Sequence, residues 1–315
     1  GERLRIEGPG IDLDPPLASL TVSPRLGRTP RRIGLPDGAE VECADGPMLA
    51  EWLPTRSRME AMADWLERRW PAVAAGAVTM VVAGVLFVQV GLPWMADRVA
   101  RSIPPAVEAA VAQQVMTVVE AQWVDPTRLP HKQQLRLRAG FERLIEGLPR
   151  QADYRLEFRR GTRIGPNALA LPAGIVIVTD ELVELMEDDA QVLAVLAHEI
   201  GHHEGYHGMR GALQSSALVL LIGFVTGDAA SVGSLAASVP AVLLQNGYTR
   251  DFERDADAFA VELLRDRGYD PLAFAGAMRR LRALTPDTKG VAGYLSTHPD
   301  TDERIEAAER AAARP

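Results

Sequence analysis

The chain has 315 residues, 47% of them apolar and 24% charged, with a formal net charge of −8 at pH 7. That length allows one large domain or two ordinary ones, and the balance is that of a folded chain rather than a disordered one. An acidic chain argues against nucleic acid as a partner, which needs a basic face, and a single cysteine, Cys43, excludes a disulfide framework or a cysteine-rich zinc module.

The first segments, "RLRIEG", "LASLTVS", "RRIGLPDG" and "AEVECADG", alternate with period two between Asp-Gly turns, which predicts a small β-rich N-terminal domain over 1–55. Nothing in it forms a catalytic constellation, and a binding module and a structural appendage fit it equally. Its "RTPRR" patch reads as solvated surface, and Cys43 as a small buried hydrophobe without a catalytic role. No charged start followed by an apolar run opens the chain, so no secretory signal peptide is expected there.

After a juxtamembrane segment, 56–70, the run 71–96 carries no charge and is long enough to cross a bilayer as a helix, with membrane lipid as its partner. Trp70 and Trp94 sit at its ends, where amphipathic rings favour the membrane interface. Arg56, Arg58, Arg68 and Arg69 precede it and Arg98 and Arg101 follow, so the positive-inside tendency places the C-terminal part outside the cytoplasm.

A helical linker is expected over 97–129, where Val107, Val111, Val115, Val118 and Trp123 fall near one face. The segment 130–315 reads as one helix-plus-sheet domain. It opens with an amphipathic helix through Leu137, Phe141, Leu144, Ile145 and Leu148. Strands follow at Tyr154–Phe158 and on either side of Pro172-Ala173-Gly174. The "ALAL" run, 168–171, is either an interior strand or an edge on which an extended peptide can add a strand.

Four of the six histidines then fall within ten residues, at 198, 202, 203 and 207. On a helix capped by Asp188 and Gln191, His198 and His202 lie four apart on one face, so both rings can reach one zinc ion at about 2.0–2.1 Å. Glu199, one residue round the helix, can reach a water on that ion without ligating it. This is the His-Glu-x-x-His pattern. A third ligand is needed, and "YTRDFERDADAFAVELLRDRG" offers Glu253, with Asp257 four residues on to hold the far nitrogen of a ligand histidine. Spacing alone does not choose between Glu253 as a ligand and as a solvated acid. Asp251, Asp255 and Glu262 read as solvated.

His198-Glu199-x-x-His202, Glu253-x-x-x-Asp257 and "STHPDTDERI" at 296–305, in that order, resemble the HtpX/BepA/Oma-type zinc metallopeptidases, a gluzincin family that includes the prenyl-protein (CAAX) proteases. The resemblance covers about 130–310. It implies an α+β fold: a mainly helical zincin-type metalloprotease domain with a small sheet, preceded here by one transmembrane helix and the small N-terminal β domain. It also implies one Zn2+ per chain held by His198, His202 and Glu253, with Glu199 as general base and Asp257 behind the ligands. His298 and Arg304 match family residues facing the site, and His298 either stabilises the oxyanion or takes the fourth zinc position. His207 matches a histidine frequent beyond the motif, whereas His203 is expected at the surface or behind the ligands.

The function implied is a membrane-anchored endopeptidase acting on unfolded or misfolded protein and peptide substrates in envelope quality control. It would sit in a bacterial inner membrane as a single-pass protein with its peptidase domain on the periplasmic side. The rival is a latent or chaperone-like zinc scaffold. A multi-span prenyl-protein protease is disfavoured, since only one long apolar span is present. The segment 215–247 reads as a helical hairpin that covers the site or leans on the membrane. Oligomeric state is left open.

Overall fold

The computed structural model describes residues 3–9, 11–23, 30–44, 69–226, 248–284, 294, 298 and 302–313. Arg56, Arg58, Arg68, most of the juxtamembrane segment and the second part of the expected hairpin, 227–247, lie outside these residues, as does most of "STHPDTDERI". The chain divides into two compact units, Gly1–Phe87 and Val88–Pro315.

The first unit carries short antiparallel strands. β1 (Ile6–Gly8) pairs with β2 (Ile11–Leu13), and β3 (Thr21–Val22), β4 (Arg31–Gly34) and β5 (Glu40–Cys43) form a three-stranded sheet in that order. The turn between β4 and β5 uses Gly38 at φ 87°, a left-handed conformation that glycine adopts without strain. Cys43 is half-buried, not buried as expected, because the sheet is too small to cover its outer face.

Residues Trp70–Ser102 are helical: α1 (Trp70–Leu86), a π turn over Phe87–Gly91, and α2 (Leu92–Ser102). No residue of α1 is buried, and this is the one helix among the described residues long and apolar enough to cross a membrane. The helix runs past 96, and Leu92, Ala96 and Ala100 of α2 are buried within the second unit.

The second unit is built on a four-stranded sheet of order β6-β7-β9-β8: β6 (Asp125–Pro126), β7 (Arg155–Arg160), β8 (Ala168–Ala170) and β9 (Ile175–Thr179). β7 and β9 run parallel, with Leu156 opposite Val176 and Phe158 opposite Val178. Every residue of β9 is buried, because both of its faces are covered. Val176 and Val178 join the main core with α4 (His131–Ile145), α5 (Asp180–Leu185), α6 (Asp189–Glu204), α8 (Arg250–Asp266), α9 (Leu272–Arg282) and α10 (Asp302–Ala312). Ile175 and Ile177 face a second core with α3 (Pro105–Gln122).

The face that α3 buries overlaps the valine stripe: Val115 is fully buried and Val111, Val118 and Trp123 pack against the second core, but the centre of the buried face lies a residue round. Glu108, Ala112, Val115 and Val119 point inward, whereas Val107 is half exposed. Two partners move the face round by a residue. Ala112 admits close packing, and Glu108 accepts a hydrogen bond from Arg150 (2.7 Å) and from the backbone N–H of Ala173 (3.1 Å). Between α6 and α8 comes α7 (His207–Thr226), and β8 ends the sheet, so one of its edges carries no strand among the described residues.

Candidate metal centre

The N-terminus of α6 is fixed by its cap: the Asp188 carboxylate accepts from the Gln191 N–H (2.9 Å), and Gln191 reaches back to accept from the Glu187 N–H (3.1 Å). From Gln191 to His203 every residue of α6 is buried. Its apolar residues pack on α4, α8 and α9, while His198, Glu199 and His202 converge on α8.

α8 approaches α6 closely because Gly201 faces it. A Cβ at that position would lie 3.0 Å from the Cα of Ala256 and 3.1 Å from its carbonyl oxygen. This contact brings Glu253, capped into the first turn of α8 by Thr249, against the two histidines.

The side chains of His198, His202, Glu253 and His298 gather into one buried group whose donor atoms all lie within 4.8 Å of one another. The two Nε2 atoms of His198 and His202 are 2.9 Å apart. Glu253 oxygens lie 3.3 Å from His202 Nε2 and 3.6 Å from His198 Nε2. His298 Nδ1 is 3.0 Å from Glu253 and 3.3 Å from His198 Nε2. A tetrahedral zinc ion with ligands at 2.0–2.1 Å requires ligand-to-ligand edges of about 3.3 Å. The donor set of three imidazoles and one carboxylate fits that geometry and the preference of zinc.

Each ligand ring is held from behind. His198 Nδ1 faces Asp257 at 2.9 Å, and His202 Nδ1 faces Nδ1 of His207 at 3.0 Å. A ring that offers Nε2 to a metal carries its proton on Nδ1, so His202 donates to a neutral His207. Burial, with Arg210 nearby, pushes the His207 pKa down to about 3 and keeps it neutral. Gly205 makes room for this, since a side chain there would strike the His207 ring. Tyr248 stacks on His202 at 3.7 Å between centroids, Tyr294 on His298 at 4.3 Å, and Phe252 on His207 at 4.4 Å.

Arg304, from α10, grips both acids: it donates to the two oxygens of Asp257 at 2.8 and 2.7 Å and lies 2.6 Å from Glu253. Burial alone would raise the pKa of Glu253, but His298, His202 and His198 outweigh it and hold the carboxyl well below the usual range. For Asp257 burial also raises the pKa, and Arg304 and His198 outweigh it to keep the group ionised. His298 shows the opposite balance. Burial disfavours its charge, yet Glu199 and Glu253 lift its pKa above the ordinary histidine value.

Glu199 is fully buried, and neither carboxylate oxygen makes a hydrogen bond; His298 Nε2 stands 3.5 Å away. A buried carboxylate left without donors is an exception to the pairing of buried polar groups and marks a site where a group not of the protein can bind. A narrow cleft leads in from the sheet: Ala170, Leu171 and Pro172 line it together with His202 and Tyr248.

The structure therefore brings together all seven residues singled out from the sequence: His198, Glu199, His202, Glu253, Asp257, His298 and Arg304. His203 is not at the surface. It is buried beside Tyr154, whose hydroxyl donates to Glu204 (2.6 Å) and lies 3.1 Å from His203 Nδ1, and burial lowers its pKa to about 3. Tyr248 and Tyr294 were not anticipated; no spacing links them to the motif, and only their aromatic character hinted at a stacking role.

A buried His-His-Glu group on two helices, with a buried glutamate that accepts no hydrogen bond on the first, is the arrangement of the zinc metallopeptidases. Residues 131–312 match peptidase family M48, and the chain belongs to that family. Residues 1–56 match a domain of unknown function (DUF7092). Among curated proteins, the chain is 32% identical to the mitochondrial metalloendopeptidase OMA1 of Arabidopsis thaliana over 142 residues, 44% of this chain and 28% of that protein. It is 30% identical to the metalloprotease LoiP of Escherichia coli over 147 residues (44% and 56%). Identity to the β-barrel assembly-enhancing protease of the same organism is 27% over 153 residues (44% and 31%). The aligned stretch thus spans less than two thirds of the length of each of these relatives.

Proposed function

We propose that this protein is a membrane-anchored zinc endopeptidase that hydrolyses unfolded or misassembled proteins on the outer side of a bacterial inner membrane. The observation that carries the reading is Glu199, buried and without a hydrogen-bond donor, beside a four-donor cluster of zinc geometry. Its relatives' names, two of them metalloproteases of Escherichia coli and one a β-barrel assembly-enhancing protease, support the envelope setting. The apolar helix Trp70–Ser102 supplies the anchor.

His198, His202 and Glu253 would hold a zinc ion, which would supply the Lewis acidity that activates water and polarises a peptide carbonyl. Glu199 takes the water's proton on its carboxylate and returns it to the departing amine. Asp257 and His207 fix the tautomers of the two ligand rings, and Arg304 keeps Glu253 and Asp257 ionised and aligned. An extended substrate pairs with the free edge of β8, whose cleft ends at His202 and Tyr248. Such pairing reads backbone rather than side chains and suits unfolded segments.

His298 completes the donor set, and a catalytic zinc site needs an open fourth position. The closed cluster supports a resting form that His298 must leave before a substrate enters.

The experiment is zinc content and casein cleavage by the detergent-purified full chain, wild type beside Glu199→Gln. The expected result is one zinc per chain in both and cleavage in the wild type alone. No zinc in a folded wild type overturns the reading. Zinc without cleavage in either moves the test to His298→Ala: a gain of cleavage establishes the resting form, and continued inactivity favours a chaperone-like scaffold.

A further inference from the structure

Helix α7 changes character along its length. Near its start it is tied to α2 by polar contacts: Arg210 pairs with Asp97 (3.5 Å), and the Arg101 guanidinium lies 5.1 Å from the centroid of the Tyr206 ring just before α7. Position 97 meets 210 and 101 meets 206, so the two helices run in opposite directions, with Leu92, Ala96 and Ala100 buried on α2 and Ala212 buried on α7. Gln214, Ser215 and Ser216 follow this seam, and after them α7 has no polar residue before Thr226. The stretch "ALVLLIGFV", 217–225, has no charge and no hydrogen-bonding side chain.

Leu218, Val219, Leu220, Leu221 and Ile222 are all exposed, between 40% and 54%. Consecutive helical residues point about 100° apart, so five in a row cover the whole circumference. A helix end in water keeps a polar face; one that is apolar all round belongs in a core or in lipid. The antiparallel register tells which. At a rise of about 1.5 Å per residue, position 217 lies roughly 10 Å beyond the Asp97–Arg210 pair, level with Val90 and past Trp94, and 218–222 continue in the same direction. Trp94, with Arg98 5.7 Å from its ring centroid, marks the boundary between the charged and apolar levels of α2.

We infer that the C-terminal part of α7 is buried in the outer leaflet, with Leu218–Ile222 against lipid acyl chains. The inference rests on the reading of Trp70–Ser102 as a membrane span. The apolar stretch is about 15 Å long, half the hydrocarbon thickness, so it enters one leaflet and does not cross. By Tyr248, stacked on His202, the chain is back at the metal cluster. His207 bonds His202 and lies only about 4.5 Å along α7 from Arg210, so the catalytic group stands within about one or two helical turns of the membrane surface. The substrates that fit such a site are segments held at the bilayer surface.

The test uses the full chain with Cys43→Ser, reconstituted in phosphatidylcholine–phosphatidylglycerol vesicles and carrying one nitrobenzoxadiazole-labelled cysteine. Leu220→Cys probes α7, Val78→Cys the span, and Leu135→Cys an exposed position of α4 as the aqueous control. Lipids brominated on their acyl chains are expected to quench the labels at 220 and 78 and to leave 135 bright. Quenching at 78 without quenching at 220 overturns leaflet insertion and leaves the anchor standing; quenching at neither overturns both. A blue-shifted label at 220 that bromine does not quench also overturns the inference, because protein, such as a second copy, then covers that face. The readout does not depend on proteolysis, so an inactive preparation serves equally.

Discussion

Helices α6 and α7 follow one another with only Gly205 and Tyr206 between them, and both are rich in apolar residues, yet their surroundings differ completely. α6 is enclosed by α4, α8, α9 and the sheet, and everything from Gln191 to His203 is buried. α7 is covered near its start and exposed by 40–54% from Leu218 to Ile222. Apolar composition asks for burial without saying in what. In α6 the periodic histidines and glutamate give one side of the helix a chemical partner on α8, and packing follows round the rest. In α7 no acid, amide or histidine beyond Ser216 marks a protein-facing side. The break between the helices is itself built: Tyr206 takes a left-handed φ of 54° and lies between the guanidiniums of Arg101 and Arg150, at 5.1 and 4.9 Å.

The difference can be measured directly. Leu196→Ala, in the middle of α6, is expected to destabilise the second unit by about 2–5 kcal/mol, the range for a large-to-small change in a closed core. Leu220→Ala is expected to change the same thermal unfolding in detergent by less than about 0.5 kcal/mol. Equal losses would show α7 to be part of the protein core and would break the contrast. Next comes Gly201→Val, which sets branched carbons against the Ala256 backbone and is expected to cost about 1–3 kcal/mol. Chemical denaturation with and without zinc separates this packing loss from loss of metal. Asp257→Asn keeps the shape and removes the charge behind His198. Zinc affinity, measured by chelator competition, should fall about 10- to 100-fold with the fold intact. An unchanged affinity would assign Asp257 to holding Arg304 alone.

Much of the site was legible because its geometry is local. His198 and His202 share a face by helical periodicity, Glu199 lies beside them for the same reason, and the Asp188 cap fixes where that helix starts. The buried strands of the sheet were legible from alternation and from the unbroken apolar run of β9. Other features were out of reach. His207 stands five residues beyond His202, a spacing that meets on no helix, and reaches it only because the chain reverses at Gly205 and Tyr206. The sequence left His203 either at the surface or behind the ligands, and burial by α3 and Tyr154 rules out the surface. The valines of α3 gave most of its packed face, Val111, Val115 and Val118 among them, but not the burial of Glu108, which Arg150 partners.

The sequence by itself determined the metal-binding residue types, the helix that carries His198, Glu199 and His202, and one apolar helix of membrane-spanning length, since each depends on residues within a few turns of each other. Only the tertiary structure decided that Glu253, His298, Asp257 and Arg304 close around those histidines. It alone decided that β8 lies at the edge of its sheet among the described residues and that Leu218–Ile222 of α7 are exposed. These are meetings between segments up to 100 residues apart. They are set by close packing at Gly201 and by charge pairing inside a closed core, which no local periodicity encodes.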